Sequence, residues 1–304
     1  LGAHGDLLCL DAKTGKIVWE KDLTKAYKMK TPMWGFSGHP LVDGDTLYCL
    51  VGGEGSIAVA FDKDTGEEKW KSLKAKEAGY CPPVMIEKAG VKQLLIWHPE
   101  SLNGVDPSTG EAIWSHPLKP AYNMSCASPR FQGNRLFVSA IGTLAVMLDL
   151  ESGWKGVKSV WNGTPKTGVF CSNSTPVWDG DTIYGCDVES SALMAVDAAT
   201  GKRLWTDKRP VLGKDKAEAD ARHGTSFLVK NGARYVIFSE TGELILAALN
   251  REGYQEHGRF QAVEPTNECF GRPVVWTHPA YAEKCAFVRN DKELVCLSLA
   301  ASDY

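Results

Sequence analysis

The sequence predicts an all-β protein, a β-propeller built from four-stranded antiparallel blades. Three observations carry that prediction. The signature Asp-x-x-Thr-Gly-x-x-x-Trp stands at Asp11–Trp19, Asp62–Trp70, Asp106–Trp114 and Asp197–Trp205. With a worn copy ending at Trp161, the tryptophans recur at intervals of 44 to 51 residues, the length of one propeller blade. The 30 glycines and 15 prolines punctuate the 304-residue chain, and no stretch keeps a 3.6-residue apolar period for long, which argues against helical repeats of similar length.

The signature has a local physical logic. Apolar runs such as Leu7–Leu10, Ile57–Phe61 and Ala192–Val196 precede the Asp and read as strands buried on both faces. The Asp caps backbone amides in a tight turn, and the Gly accepts a positive φ that other residues resist. The following strand ends on Trp, whose broad face suits stacking on a bare glycine of the neighbouring unit while its N–H makes one hydrogen bond. Gly15, Trp19, Gly66, Trp70, Gly110, Trp114, Trp161, Gly201 and Trp205 are therefore expected to join blade to blade.

Taken in order, residues 1–23 hold a half-blade, its strands at Leu7–Asp11 and Ile17–Leu23. A loop with Lys25, Lys28 and Lys30 follows. Complete blades run from about 34 to 262; the first places strands near 38–43, 46–52, 56–62 and 67–73. A polar loop, Lys208–Arg222, carries Lys214, Asp215, Lys216, Glu218 and Asp220 and reads as a solvated face. An incomplete last blade, 268–299, opens at Cys269–Arg272. There Leu294–Leu297 aligns with Leu7–Leu10, and Ser298 falls where Asp11 stands. Both ends thus carry a third strand, and the chain reads as one propeller domain, 1–304, of about six to seven blades. The expectation is a fragment lacking roughly one to two blades upstream; the alternative is a ring of about seven blades with an imperfect closure.

Composition narrows the function. The 34 basic and 37 acidic residues are interspersed and give a formal charge of −3, so no nucleic-acid footprint is expected. No apolar run approaches the roughly 20 residues that span a bilayer. The nine cysteines include no Cys-x-x-Cys, and most lie in apolar strand runs, which reads as reduced, core-filling cysteine.

The repeat Ala/Val-x-Asp-x-x-Thr-Gly-Lys-x-x-x-Trp resembles that of the pyrrolo-quinoline-quinone-like propellers, the quinoprotein alcohol-dehydrogenase-like superfamily. The resemblance covers nearly the whole chain. It implies an eight-bladed ring, of which this chain is expected to be part. The repeat is also similar to those of exported planctomycete-type propellers of unassigned activity and of the propeller lipoprotein of the outer-membrane barrel-assembly machinery. A periplasmic or extracellular location is implied by that likeness. The dehydrogenases of the superfamily use pyrrolo-quinoline quinone (PQQ) and calcium beside an adjacent cysteine pair. No Cys-Cys dipeptide occurs in this sequence, and no Asp or Glu matches the base or the calcium ligands.

Strand openings in a propeller line one face, where ligands commonly bind. Those openings hold Trp34, Cys81, Cys126, Cys171, Asn173, His223, Glu268, Cys269 and Arg272, the candidate ligand residues. The cysteines recur at one phase, which admits a soft-metal or redox site or simply a crowded wall of small residues. The loops between second and third strands add His98, Glu100, Asp187, Glu189 and Glu240, which could hold calcium or a substrate hydroxyl and otherwise read as solvated. No nucleophile–base pair is recognisable. The leading expectation is a non-catalytic binding and scaffolding propeller that takes a small molecule or a protein at its face; the alternative is a PQQ- and calcium-dependent dehydrogenase.

Overall fold

The computed structural model describes residues 1–216 and 221–300. Glu218 and Asp220 of the expected solvated loop lie outside the described residues. The strands are β1 (Asp6–Leu10) and β2 (Ile17–Asp22); β3–β6 (Leu41–Asp43, Thr46–Leu50, Ala58–Asp62, Glu68–Ser72); and β7–β10 (Val84–Lys88, Val91–His98, Ser101–Val105, Ala112–Pro117). Then come β11–β14 (Arg130–Gln132, Arg135–Ala140, Leu144–Leu150, Val157–Asn162) and β15–β18 (Val177–Asp179, Thr182–Asp187, Ala192–Asp197, Arg203–Asp207). The last are β19–β22 (Ser226–Asn231, Arg234–Ser239, Glu243–Leu249, Tyr254–Gln261), β23–β24 (Asn267–Cys269, Arg272–Val274) and β25–β27 (Ala280–Ala282, Cys285–Arg289, Leu294–Ser298). Among the described residues, five sheets have four strands in sequential order, one has three, and β1–β2 and β23–β24 stand as pairs. These are propeller blades. Two four-residue helices, α1 (Leu23–Ala26) and α2 (Arg209–Leu212), interrupt the all-β pattern.

The chain divides into two compact units: residues 1–136 with 148–160, and residues 137–147 with 161–304. In the first, Leu7, Leu23, Leu47, Cys49, Val59 and Phe61 pack β1–β2 on β3–β6. Tyr48, Leu50, Ile57, Leu94, Ile96 and Val105 pack β3–β6 on β7–β10. In the second, Tyr184, Leu193, Leu228, Tyr235 and Ile245 join β15–β18 to β19–β22, while Phe227, Phe238, Leu244, Ala286 and Val288 join β19–β22 to β25–β27.

The signature turns are alike. Asp62 Oδ1 accepts from the amides of Asp64 and Thr65, both at 3.0 Å, and the Gly66 amide donates to the Asp62 carbonyl. These bonds, led by that from the Thr65 amide, hold the Asp62 carboxyl below its usual range. The strand register shifts beside each turn, here between the pairs Phe61–Glu68 and Ala60–Trp70, and the bulge re-aims the tryptophan. Trp19 thereby reaches Gly66, where a Cβ would meet its ring at 2.8 Å, and donates to the Lys63 carbonyl at 3.0 Å. Trp161 does the same at Gly201 and Ala198, and Trp205 donates to the Asn250 carbonyl at 2.8 Å. Nothing lies within 4 Å of the equivalent point on Gly15.

Trp114 departs from this pattern. It folds back over its cross-strand partner Gly104, where Trp70 and Trp205 face Ala60 and Ala195. A Cβ on residue 104 would stand 2.2 Å from the indole nitrogen, so only glycine allows the fold-back. Trp114 Nε1 donates to Gln93 Oε1 at 2.9 Å, and Gln93 Nε2 donates to the Trp154 carbonyl at 2.7 Å. The amide thus bridges to a turn whose sequence, Asp149–Trp154, has lost the Thr-Gly pair.

Other expectations need correction. The run at β1 is half-buried, with Leu8 and Leu10 exposed, because β1–β2 is packed on one face only. The opening expected at 269–272 is a hairpin of its own, since Phe270 and Gly271 both take positive φ and close the turn between β23 and β24. Within the polar loop, Pro210, Val211 and Leu212 are buried in α2. Cys296 is exposed and four further cysteines are half-buried as residues, so the cysteines are not uniformly core.

Candidate functional site

The first unit carries a cavity of about 880 Å³, walled by residues 28–34, 52–54, 74–80 and 122–123. Its walls follow from local geometry. Asp22 caps α1 by accepting from the Lys25 amide, and the chain then runs over the next blade, where the Tyr27 hydroxyl donates to Glu68 at 2.7 Å. That crossing needs Gly53, because a Cβ there would come within 2.6 Å of the Tyr27 carbonyl. Opposite, Gly79 approaches Ser125 so closely that a Cβ would stand 2.2 Å from its hydroxyl, and the Tyr80 amide donates to the Ser125 carbonyl.

Large apolar side chains stand open here. Met33 is 84% exposed, Tyr122 74% and Trp34 53%. Trp34 leans on Tyr80 with ring centres 5.5 Å apart. Tyr122 and Asn123 both hold left-handed backbone, at φ 56° and 59°, a strained arrangement for non-glycine residues. Of the expected residues, Trp34 lies on this wall. Cys81 and Cys126 do not; the Cys81 thiol turns to the carbonyls of Pro82 and Ala127. Burial pushes the Cys126 thiol up to about 12 and raises Cys81 as well, so neither carries a reactive thiolate near neutral pH. Buried His98 also sits in this unit, donating or accepting at Ser101 Oγ, and its burial lowers its pKa.

The second unit gathers a different set. Glu240, 1% exposed, follows β20. Its Oε1 accepts from Arg272 Nε at 2.6 Å; its Oε2 accepts from Arg272 Nη2, Trp276 Nε1 at 2.9 Å and the Thr225 amide at 3.0 Å. Asn173 Nδ2 donates to Thr225 Oγ1 at 3.3 Å. His223 stacks on Phe270 with ring centres 4.4 Å apart, and Phe270 stands 6.2 Å from Trp276. The structure therefore sets Arg272 directly on Glu240, Asn173 one residue away through Thr225, and His223 farther out, against Phe270. Glu268 is exposed and Cys269 half-buried on the same hairpin as Arg272, and Cys171 is buried with its amide on Ser139 Oγ.

The loop carboxylates expected to be solvated include two that are buried. Asp187 accepts from the amides of Phe170 and Ser190 and from the Ser190 hydroxyl, and Glu240 is saturated as described. Glu100 and Glu189 are exposed. A calcium ion needs six to eight oxygens. Lone pairs already committed to internal donors do not supply them, and among the described residues no group of three or more His, Cys, Asp or Glu is placed to hold a metal ion. Among the described residues the donor set does not fit the quinone–calcium arrangement.

A profile of PQQ_2, described as outer membrane protein assembly factor BamB, matches residues 1–207. The chain belongs to the PQQ_2 family. A BamB of Alteromonas naphthalenivorans is 26% identical over 219 residues, covering 66% of this chain and 50% of its own length. The chain thus spans about half the length of that curated relative. The structure of BamB from Moraxella catarrhalis superposes with a TM-score of 0.66 at 15% identity, over 97% of this chain and 79% of that one. A quinohemoprotein alcohol dehydrogenase from Pseudomonas putida gives 0.55 at 14% identity, over 84% and 50%. At these identities the structural likeness establishes the PQQ_2-type propeller fold. Among the described residues, no helix is long and apolar enough to cross a membrane.

The wall residues Met33 and Tyr122 were not legible as a site. They sit in segments without periodic pattern, and the only signal was an apolar residue flanked by turn chemistry. Glu240 was visible only as one loop acid among several.

Proposed function

We propose that this PQQ_2 propeller is a binding and scaffolding module serving outer-membrane protein assembly on the periplasmic side, without catalysis of its own. The observation that carries this reading is the groove of the first unit, where Met33, Trp34 and Tyr122 stand open beside one another. Exposed aromatic and Met side chains on a walled groove are the usual anchors of a protein partner. The family description, outer membrane protein assembly factor, supports the setting. The second unit's polar cluster spends its charges on itself and reads as a structural clamp.

The test is photo-crosslinking in the source cell. A benzophenone amino acid at Tyr122 should trap an envelope protein, whereas the same probe at exposed Val42 should not. Equal labelling at both positions, or none at Tyr122, would sink the reading, as would recovery of the protein in the cytoplasmic fraction.

A further inference from the structure

We infer that the groove of the first unit takes an extended acidic segment bearing an aromatic residue. This deepens the partner-binding reading and rests on it. Four lysines line the groove, Lys28, Lys30, Lys74 and Lys76, against Glu54 and Glu77. Lys74 pairs with Glu54 at 3.5 Å, and Lys28, Lys30 and Lys76 outnumber the two remaining carboxylates, Glu77 in the groove and Glu100, which accepts from the Lys76 amide. The local excess is positive in a chain whose net charge is −3. All three lysines are exposed, so they attract without first being desolvated.

The apolar wall sets the other half of the recognition. Trp34, propped from behind by buried Tyr80, presents one aromatic surface, and Tyr122 stands from a strained turn on another segment. A guest aromatic ring between them would gain offset or edge contacts, worth more than its area alone. A cavity of about 880 Å³ accommodates several residues of extended chain and lies near the upper end for a small-molecule cleft. Surface charges steer and select more than they bind, so the ring anchors the segment and the lysines choose its sign.

Fluorescence anisotropy on the protein as it stands tests this. The probes are a labelled short peptide alternating Asp with Phe, its counterpart with Lys for Asp, and inorganic polyphosphate as competitor. The acidic peptide should bind at least about tenfold tighter than the basic one and weaken steadily with added salt. Lys28→Glu, Lys30→Glu and Lys76→Glu together should remove that preference. Because these side chains are exposed, thermal melting should stay unchanged and report an intact fold. Tyr122→Ala should weaken the acidic peptide without changing the preference for sign. Equal binding of both peptides, or a triple variant within about twofold of the parent, overturns the inference. So does displacement by polyphosphate as effective as by unlabelled peptide, since charge alone would then suffice. If Tyr122 still crosslinks to an envelope protein while the acidic peptide fails, the partner-binding reading survives and this inference falls.

Discussion

The indole of Trp70 lies over Gly110: a Cβ on that glycine would meet the ring at 2.6 Å, and Nε1 donates to the Pro107 carbonyl at 3.0 Å. One side chain thus ties the fourth strand of one blade to the turn of the next by contact and by hydrogen bond.

Gly15 provides the control for that tie. Gly15 and Gly110 share the turn, with φ of 70° and 78°, yet nothing approaches Gly15. Gly15→Ala should cost about 1 kcal/mol, the strain of a left-handed alanine. Gly110→Ala should cost about 2–4 kcal/mol, because the indole must also move. Urea midpoints measure both, and equal losses would show that the stack contributes nothing.

Arg272 neutralises a carboxylate that water cannot reach. Arg272→Met should destabilise by about 3–5 kcal/mol by leaving Glu240 charged and buried. Adding Glu240→Gln should recover a large part of that loss. A double-mutant cycle in denaturant reads the coupling; additive losses would mean the two side chains act independently.

Glu256 sets an acid limit. Hydrogen bonds from Arg259, then Tyr254 and Lys214, hold its carboxyl at about 2, below the ordinary 4.5. A depressed folded-state value means the contribution is complete above about pH 4.5 and is lost as pH falls from there towards about 2. With solvent screening it should amount to about 1–2 kcal/mol. Glu256→Gln should flatten stability across that window, and an unchanged acid slope would count against it.

Thiol reactivity should divide the nine cysteines. Burial pushes Cys49, Cys126 and Cys186 up to about 12 and raises Cys81 too, whereas Cys296 is exposed. At pH 8 a thiol reagent should label Cys296 quickly and those four only after denaturation. Rapid labelling of native Cys81 or Cys126 would reopen the soft-metal reading.

Most of the blade architecture was legible because one turn chemistry recurs. Asp62, Thr65 and Gly66 each do a local task that survives in isolation, so the motif announces its own conformation. Trp114 was not legible, because its path depends on Gly104 from another strand, a cross-strand pairing that spacing alone does not give. The candidate site divides in the same way. Trp34, Asn173, His223 and Arg272 could be picked as strand openings. The roles of Glu240 and Tyr122 depend on which segments meet, Arg272 with Glu240 and residues 28–34 with 122–123, and no local pattern encodes those meetings.

Gln93 carries a consequence for how this repeat can diverge. Wherever a turn itself receives the indole, the turn's length and composition are held by that duty. At Gln93 the duty has passed to a side chain on an inner strand, whose two amide atoms reach Trp114 and Trp154 separately. The bond to Trp154 takes only a backbone carbonyl from that turn, so exposed Ser152 and Lys155 are released to change, whereas Trp154, buried against Phe131, and the strand from Val157 onward are not.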